Sequence, residues 1–121
     1  DHDFSIGVDT ANKDDPSDKE EVENYYGVEM KKGSTKVAID NGFVKDISKK
    51  IEKNKISGTY VGITKMKKVI AIKVRNKIKE LIDKGDIKKY PGPSYLWKDL
   101  LSNGQKIHPV FINPNSYIEI D

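Results

Sequence analysis

The dipeptide Asn41-Gly42 stands between two β-prone runs, Lys36-Val-Ala-Ile39 with Asp40 on one side and Phe43-Val44-Lys45-Asp46-Ile47 on the other. Asparagine and glycine accept the positive φ angles of a tight two-residue turn, so the runs must fold back on one another as an antiparallel hairpin. That hairpin commits the chain to a sheet. Tyr26-Gly27-Val28-Glu29-Met30, shortly before it, is a candidate third antiparallel strand.

The other segments supply strands and helices in alternation. Phe4-Ser-Ile-Gly-Val8, closed by Asp9, reads as a buried strand ending in a carboxylate, and the polar stretch from Thr10 to Asp18 reads as a loop. Ser17 is a candidate cap for a single turn through Val22. From Thr59 to Thr64 a β-prone run is interrupted by Gly62, which in a strand signals a bulge or a close approach by another backbone or a ligand. Met66, Ile70, Val74, Ile78, Leu81 and Ile82 recur at helical spacing, and Gly85 stops the pattern. A second helix is expected after Pro91-Gly92-Pro93, with Ser94 as cap, an apolar face of Leu96, Trp97, Leu100 and Leu101, and Asn103-Gly104 as its end. Ile107 to Ile112 follows as a strand whose Pro109 argues that it lies at an edge or is paired only partly. The expected fold class is α/β, with an antiparallel hairpin and two main helices, and residues 1–121 are read as a single domain.

Composition limits the functions open to such a domain. With 36% hydrophobic and 34% charged residues in 121, the core is thin, or one face is completed by a partner. No apolar run is long enough to span a bilayer and no signal-peptide pattern opens the chain, so a soluble protein is expected, either cytoplasmic or trimmed at its start. Cysteine is absent, which removes thiolate chemistry, and the two histidines, His2 and His108, lie far apart in sequence without a nearby ligand pattern, so an imidazole zinc site is not expected. Of the 22 basic residues only Arg75 is an arginine, and the lysines are interleaved with 19 acids. Nucleic-acid readers lean on arginine forks and stacking aromatics, so a nucleic-acid binder is the weakest reading. A few lysines can still hold an anionic small molecule as point charges.

The remaining chemistry is acidic and basic. In Tyr117-Ile118-Glu119-Ile120-Asp121 a strand would place Glu119 and Asp121 side by side on the face that carries Tyr117. Two such carboxylates suit a hard cation such as Mg²⁺, which takes oxygen ligands and completes its shell with water and phosphates. Water-facing carboxylates at a strand end are the plain alternative. Lys49, after the hairpin, is the matching cation for phosphoryl or nucleotidyl transfer.

Taken in order, these pieces resemble the later half of the sugar-nucleotidyltransferase superfamily, and within it the cytidylyltransferases that activate phosphocholine or phosphonates. The matching segments are the strand ending in Asp9, the hairpin with Asp40-Asn-Gly-Phe-Val and then Ile47-Ser48-Lys49, Gly58-Thr-Tyr-Val-Gly62-Ile, the long helix, Tyr95-Leu-Trp-Lys-Asp-Leu-Leu101, Gly104-Gln-Lys-Ile-His-Pro-Val110 and Tyr117-Ile-Glu-Ile-Asp121. The resemblance implies part of a Rossmann-like nucleotidyltransferase sheet of the GT-A kind. It also implies Asp121 and Glu119 as Mg²⁺ ligands, Lys49 against the substrate phosphate, and Gly62 where the backbone nears the group being activated. Tyr60, Trp97 and Tyr117 become candidates for an aromatic wall around a quaternary ammonium, although a tryptophan on an apolar helix face is more often core.

The implied reaction moves a nucleoside monophosphate from a triphosphate, CTP favoured, to a phosphate- or phosphonate-bearing small molecule, releasing pyrophosphate. The family's Gly-rich nucleotide loop and first metal-binding aspartate have no counterpart in these residues. The resemblance is therefore to the substrate-side half, expected to be inactive alone and to need a complementing N-terminal half or a homo-oligomer. A small non-catalytic α+β interaction module is the alternative, with surface carboxylates and the hairpin as a docking edge.

Overall fold

A computed structural model describes residues 2–10, 22–25, 28–31 and 34–112. Its main sheet is mixed and has five strands: β1 (Phe4–Asp9), β4 (Lys36–Asp40), β5 (Phe43–Ser48), β6 (Gly58–Met66) and β7 (His108–Phe111), ordered β5-β4-β6-β1-β7. The two helices are α1 (Lys68–Asp83) and α2 (Pro93–Ser102). The chain is thus α/β, with the hairpin and the two helices that its sequence requires. No helix among the described residues is long and apolar enough to cross a membrane.

Local chemistry sets most element boundaries. Asn41 and Gly42 take φ of 52° and 79°, which closes β4 onto β5. At the end of α1, Gly85 has φ 73°, and the N–H groups of Gly85 and Asp86 donate to the carbonyls of Ile82 and Leu81 at 3.0 and 2.8 Å. That pair of bonds is a Schellman ending, and α2 repeats it. There Gly104 has φ 91°, and Gly104 and Gln105 donate to Leu101 and Leu100 at 3.0 and 2.9 Å.

Three boundaries differ from the sequence reading. Met66 belongs to β6, paired with Phe4, rather than to the helix, because a residue packed against the core from a strand end fits the apolar spacing equally well. Helix α2 starts at Pro93 with Gly92 as its N-cap, so Ser94 lies inside the first turn. Proline's fixed φ suits the first helical position and moves the start forward. Val28–Lys31 is a strand, β3, but it pairs antiparallel with β2 (Val22–Tyr25) in a sheet of two strands, outside the main sheet. The turn expected after Ser17 lies outside the described residues up to Val22, which opens β2.

Strand β1 is buried along its whole length, antiparallel to β6 on one side and parallel to β7 on the other. Phe4, Ile6 and Val8 join Val37, Val44, Ile47, Tyr60, Ile70, Trp97 and Ile107 in one core. The register jumps from Ile6↔Thr64 to Val8↔Tyr60, so residues 61–63 bulge opposite Gly7, with Gly62 at φ 83°. A β-carbon on Gly7 would run into Ile112 and come within 2.8 Å of Val61. Glycine is what lets the bulge lie against β1.

Strand β7 forms the opposite edge of the sheet from β5. Ile112 N–H donates to the Val8 carbonyl at 2.9 Å, so alternation turns the backbone groups of Pro109 and Phe111 outward. Proline has no donor to offer there, as the edge assignment requires. The sheet also curls: Val44 N–H donates to the carbonyl of Ile107, just before β7, at 2.9 Å. Phe43 meets His108 at the same seam, ring centroids 4.6 Å apart.

Candidate functional site

Strands β1 and β4 run the same way, because each is antiparallel to β6. Ligands of α/β sheets tend to bind beyond the carboxyl ends of parallel strands, which focuses attention on Asp9, Thr10 and Phe111 at the ends of β1 and β7. A cavity of about 760 Å³ lies there, walled by Thr10 and Phe111, by Asp40, Lys45 and Asp46 of the hairpin, and by the 51–57 segment including Lys55. Its size suits a small ligand. Lys45 and Asp40 stand 4.0 Å apart, and Ser57 finishes the wall by accepting the Ile39 N–H on its hydroxyl at 2.9 Å.

Next to this cavity the strand register lines up a polar row. Asp9 lies opposite Thr59, and Thr59 opposite Lys36, across β1, β6 and β4. Asp9 is 1% exposed, Lys36 3% and Thr59 6%. Lys36 Nζ donates to Ser34 Oγ at 2.6 Å. Burying a carboxylate and an ammonium adds little to stability, because desolvation offsets their attraction, so such a row is more informative about specificity than about strength.

Lys49 follows β5 and faces a smaller hollow of about 240 Å³ with Lys50, Lys98, Ser94 and Tyr95. Three lysines thus stand about the first turn of α2, where the positive end of the helix dipole adds to their charge. Burial raises the Tyr95 phenol above its ordinary value, keeping it protonated and able to donate. Lys98 Nζ is 3.5 Å from Asp46, which also lines the larger cavity, so the two hollows adjoin across this ion pair.

The other candidates are dispersed. Gly62 is exposed on the bulge with open space where a side chain would be. Tyr60 and Trp97 are buried and bonded to each other, Trp97 Nε1 donating to the Tyr60 hydroxyl at 3.3 Å, and Tyr60 is 2.6 Å from Thr64 Oγ1. Trp97 also sets its ring edge-on to Phe4 at 5.0 Å, the packing of a core tryptophan. Tyr117, Glu119 and Asp121 lie outside the described residues. Among the described residues no group of three or more histidines, cysteines or acids is placed to hold a metal ion.

Sequence reasoning missed Lys98, Ser94 and the cavity residues Asp40, Lys45, Asp46 and Phe111. Lys98 and Ser94 are one helical turn apart, which was readable, but their approach to Lys49 depends on how α2 packs on β5. No protein-family model, no curated protein and no solved structure matches this chain.

Proposed function

We propose that the chain is the acceptor-side portion of a nucleotidyltransferase that moves a nucleoside monophosphate from CTP to a phosphate- or phosphonate-bearing small molecule, releasing pyrophosphate, in the cytoplasm. One observation carries this reading: Lys49, Lys50 and Lys98 surround one hollow with the Ser94 hydroxyl beside the start of α2. Such a cluster neutralises and orients a phosphate as its oxygen approaches a second phosphate. Asp121 and Glu119, a hard-oxygen donor set suited to Mg²⁺, would hold the ion that neutralises the triphosphate. The large cavity at the carboxyl ends of β1 and β7 leaves room for the acceptor's organic part.

A docking module is the second reading, favoured by the curl of the sheet, which lets the core close on itself. An amide NMR titration of the chain with phosphocholine, aminoethylphosphonate and CTP with Mg²⁺ separates the two. The transferase reading expects the acceptors to shift Lys49, Lys50 and Tyr95. Absence of any shift there at saturating acceptor removes it.

A further inference from the structure

Where the hairpin reaches β7, four side chains from three parts of the chain stack in sequence. The rings of His2 and His108 lie 3.3 Å apart between centroids and within 14° of parallel. The other neighbour of His108 is Phe43, tilted by 54°, and the Phe43 ring has Lys106 Nζ 5.1 Å from its centroid. The Val44 to Ile107 hydrogen bond lies directly beside this stack. The hairpin is therefore fastened to the opposite edge of the sheet by one backbone bond and a ladder of rings.

We propose that His2 and His108 form a proton-sensitive clasp, closed when His108 is neutral and opened when it takes a proton, which frees the hairpin end and one wall of the neighbouring cavity. The charges around the pair are arranged for this. His108 is met by His2 from the segment leading into β1, by the positive charge of Lys106, and by the neutral ring of Phe43 on the hairpin. Asp3 is the opposing acid nearby, and Lys67 already engages it at 3.1 Å. A proton on His108 places a positive charge beside the Lys106 ammonium and against two rings that keep water from solvating it, so it favours separation.

Desolvation first, then His2 and Lys106, hold His108 below its ordinary value of 6.5. The closed form thus prefers the neutral ring. Its stability is complete above the unfolded value and is lost as pH falls from there through the lowered folded value. The clasp stands whether or not the cavity takes a phosphorylated ligand.

The test is the hydrogen-exchange protection factor of the Val44 amide against pH, with the Tyr60 amide, bonded to the Thr35 carbonyl away from the seam, as internal reference. Corrected for intrinsic exchange, Val44 protection is expected to fall at least about tenfold on acidification while Tyr60 holds, in step with the His108 ring titration. His2→Phe, which keeps a stacking ring but removes the imidazole that helps to lower His108, should weaken this dependence, and His108→Phe should remove it. Val44 and Tyr60 falling together, or a Val44 profile unchanged in His108→Phe, would overturn the clasp.

Discussion

The amide of Val44 and the carbonyl of Ile107, on segments at opposite edges of a five-stranded sheet, are hydrogen-bonded at 2.9 Å. The bond holds the hairpin over the core, and both residues are buried within it. Because Ile107 is fully buried, Ile107→Ala should destabilise the fold by about 3 kcal/mol, measured by urea denaturation. A loss under about 1 kcal/mol would mean that the seam does not enclose the core.

The Tyr60 hydroxyl is shared between Trp97 and Thr64, and the two partners are unequal in what they leave behind. Tyr60→Phe strands the buried Trp97 N–H and should cost about 2 kcal/mol. Thr64→Val leaves that bond intact and should cost about 1 kcal/mol. The single tryptophan makes its fluorescence a direct probe of both unfolding curves. Equal losses would count against the shared hydroxyl.

Gly7 and Gly62 face each other across the bulge but resist substitution for different reasons. Gly62→Ala meets open space and pays only for a positive φ, about 1 kcal/mol. Gly7→Ala collides with Val61 and Ile112 and should cost clearly more, with the β1–β6 amides shifting by NMR. If Gly62→Ala proved the worse of the two, the bulge would not be positioned by Gly7.

Lys49 and Lys98 offer a separation of binding from folding. Lys49→Ala should leave the melting temperature within error and weaken phosphocholine binding about tenfold, near the 1.4 kcal/mol of one charge-assisted contact. Lys98→Met should do the same while changing stability by no more than about 0.5 kcal/mol, since its pair with Asp46 is half exposed. Isothermal calorimetry reads the first quantity and thermal melting the second.

On α1 the Lys84 ammonium bonds the Glu80 carboxylate at 2.8 Å and holds it below its ordinary value of 4.5. The stabilisation is therefore present above 4.5 and disappears as pH falls through the lowered value. Carbon-detected NMR of Glu80 should show its titration move back up in Lys84→Met. No movement would show that the pair is not formed in solution.

What the sequence made legible was local. Asn41-Gly42, Gly85, Gly104, Gly62 and Pro109 each force a backbone conformation within a few residues, and the structure puts turn, helix ends, bulge and edge where those residues require. The curl of the sheet was not legible, since it depends on Val44 meeting Ile107 far along the chain. The partner of Val28–Lys31 was missed for a related reason: Val22–Tyr25, with its two polar residues, has no apolar alternation strong enough to mark a strand. In the site, Lys49 could be named from its place after the hairpin, but the cations beside it come from helix packing.

Pro109 has one further consequence. Val110 and Phe111 beside it are 49% and 62% exposed, a pairing that on an ordinary edge would invite another chain to continue the ladder. A filament growing from this side would lack a rung at its first step, because the outward position holds no proton to give. Concentrated solutions should accordingly stay free of amyloid-type growth seeded at β7, and Pro109→Val is the substitution that would open that route.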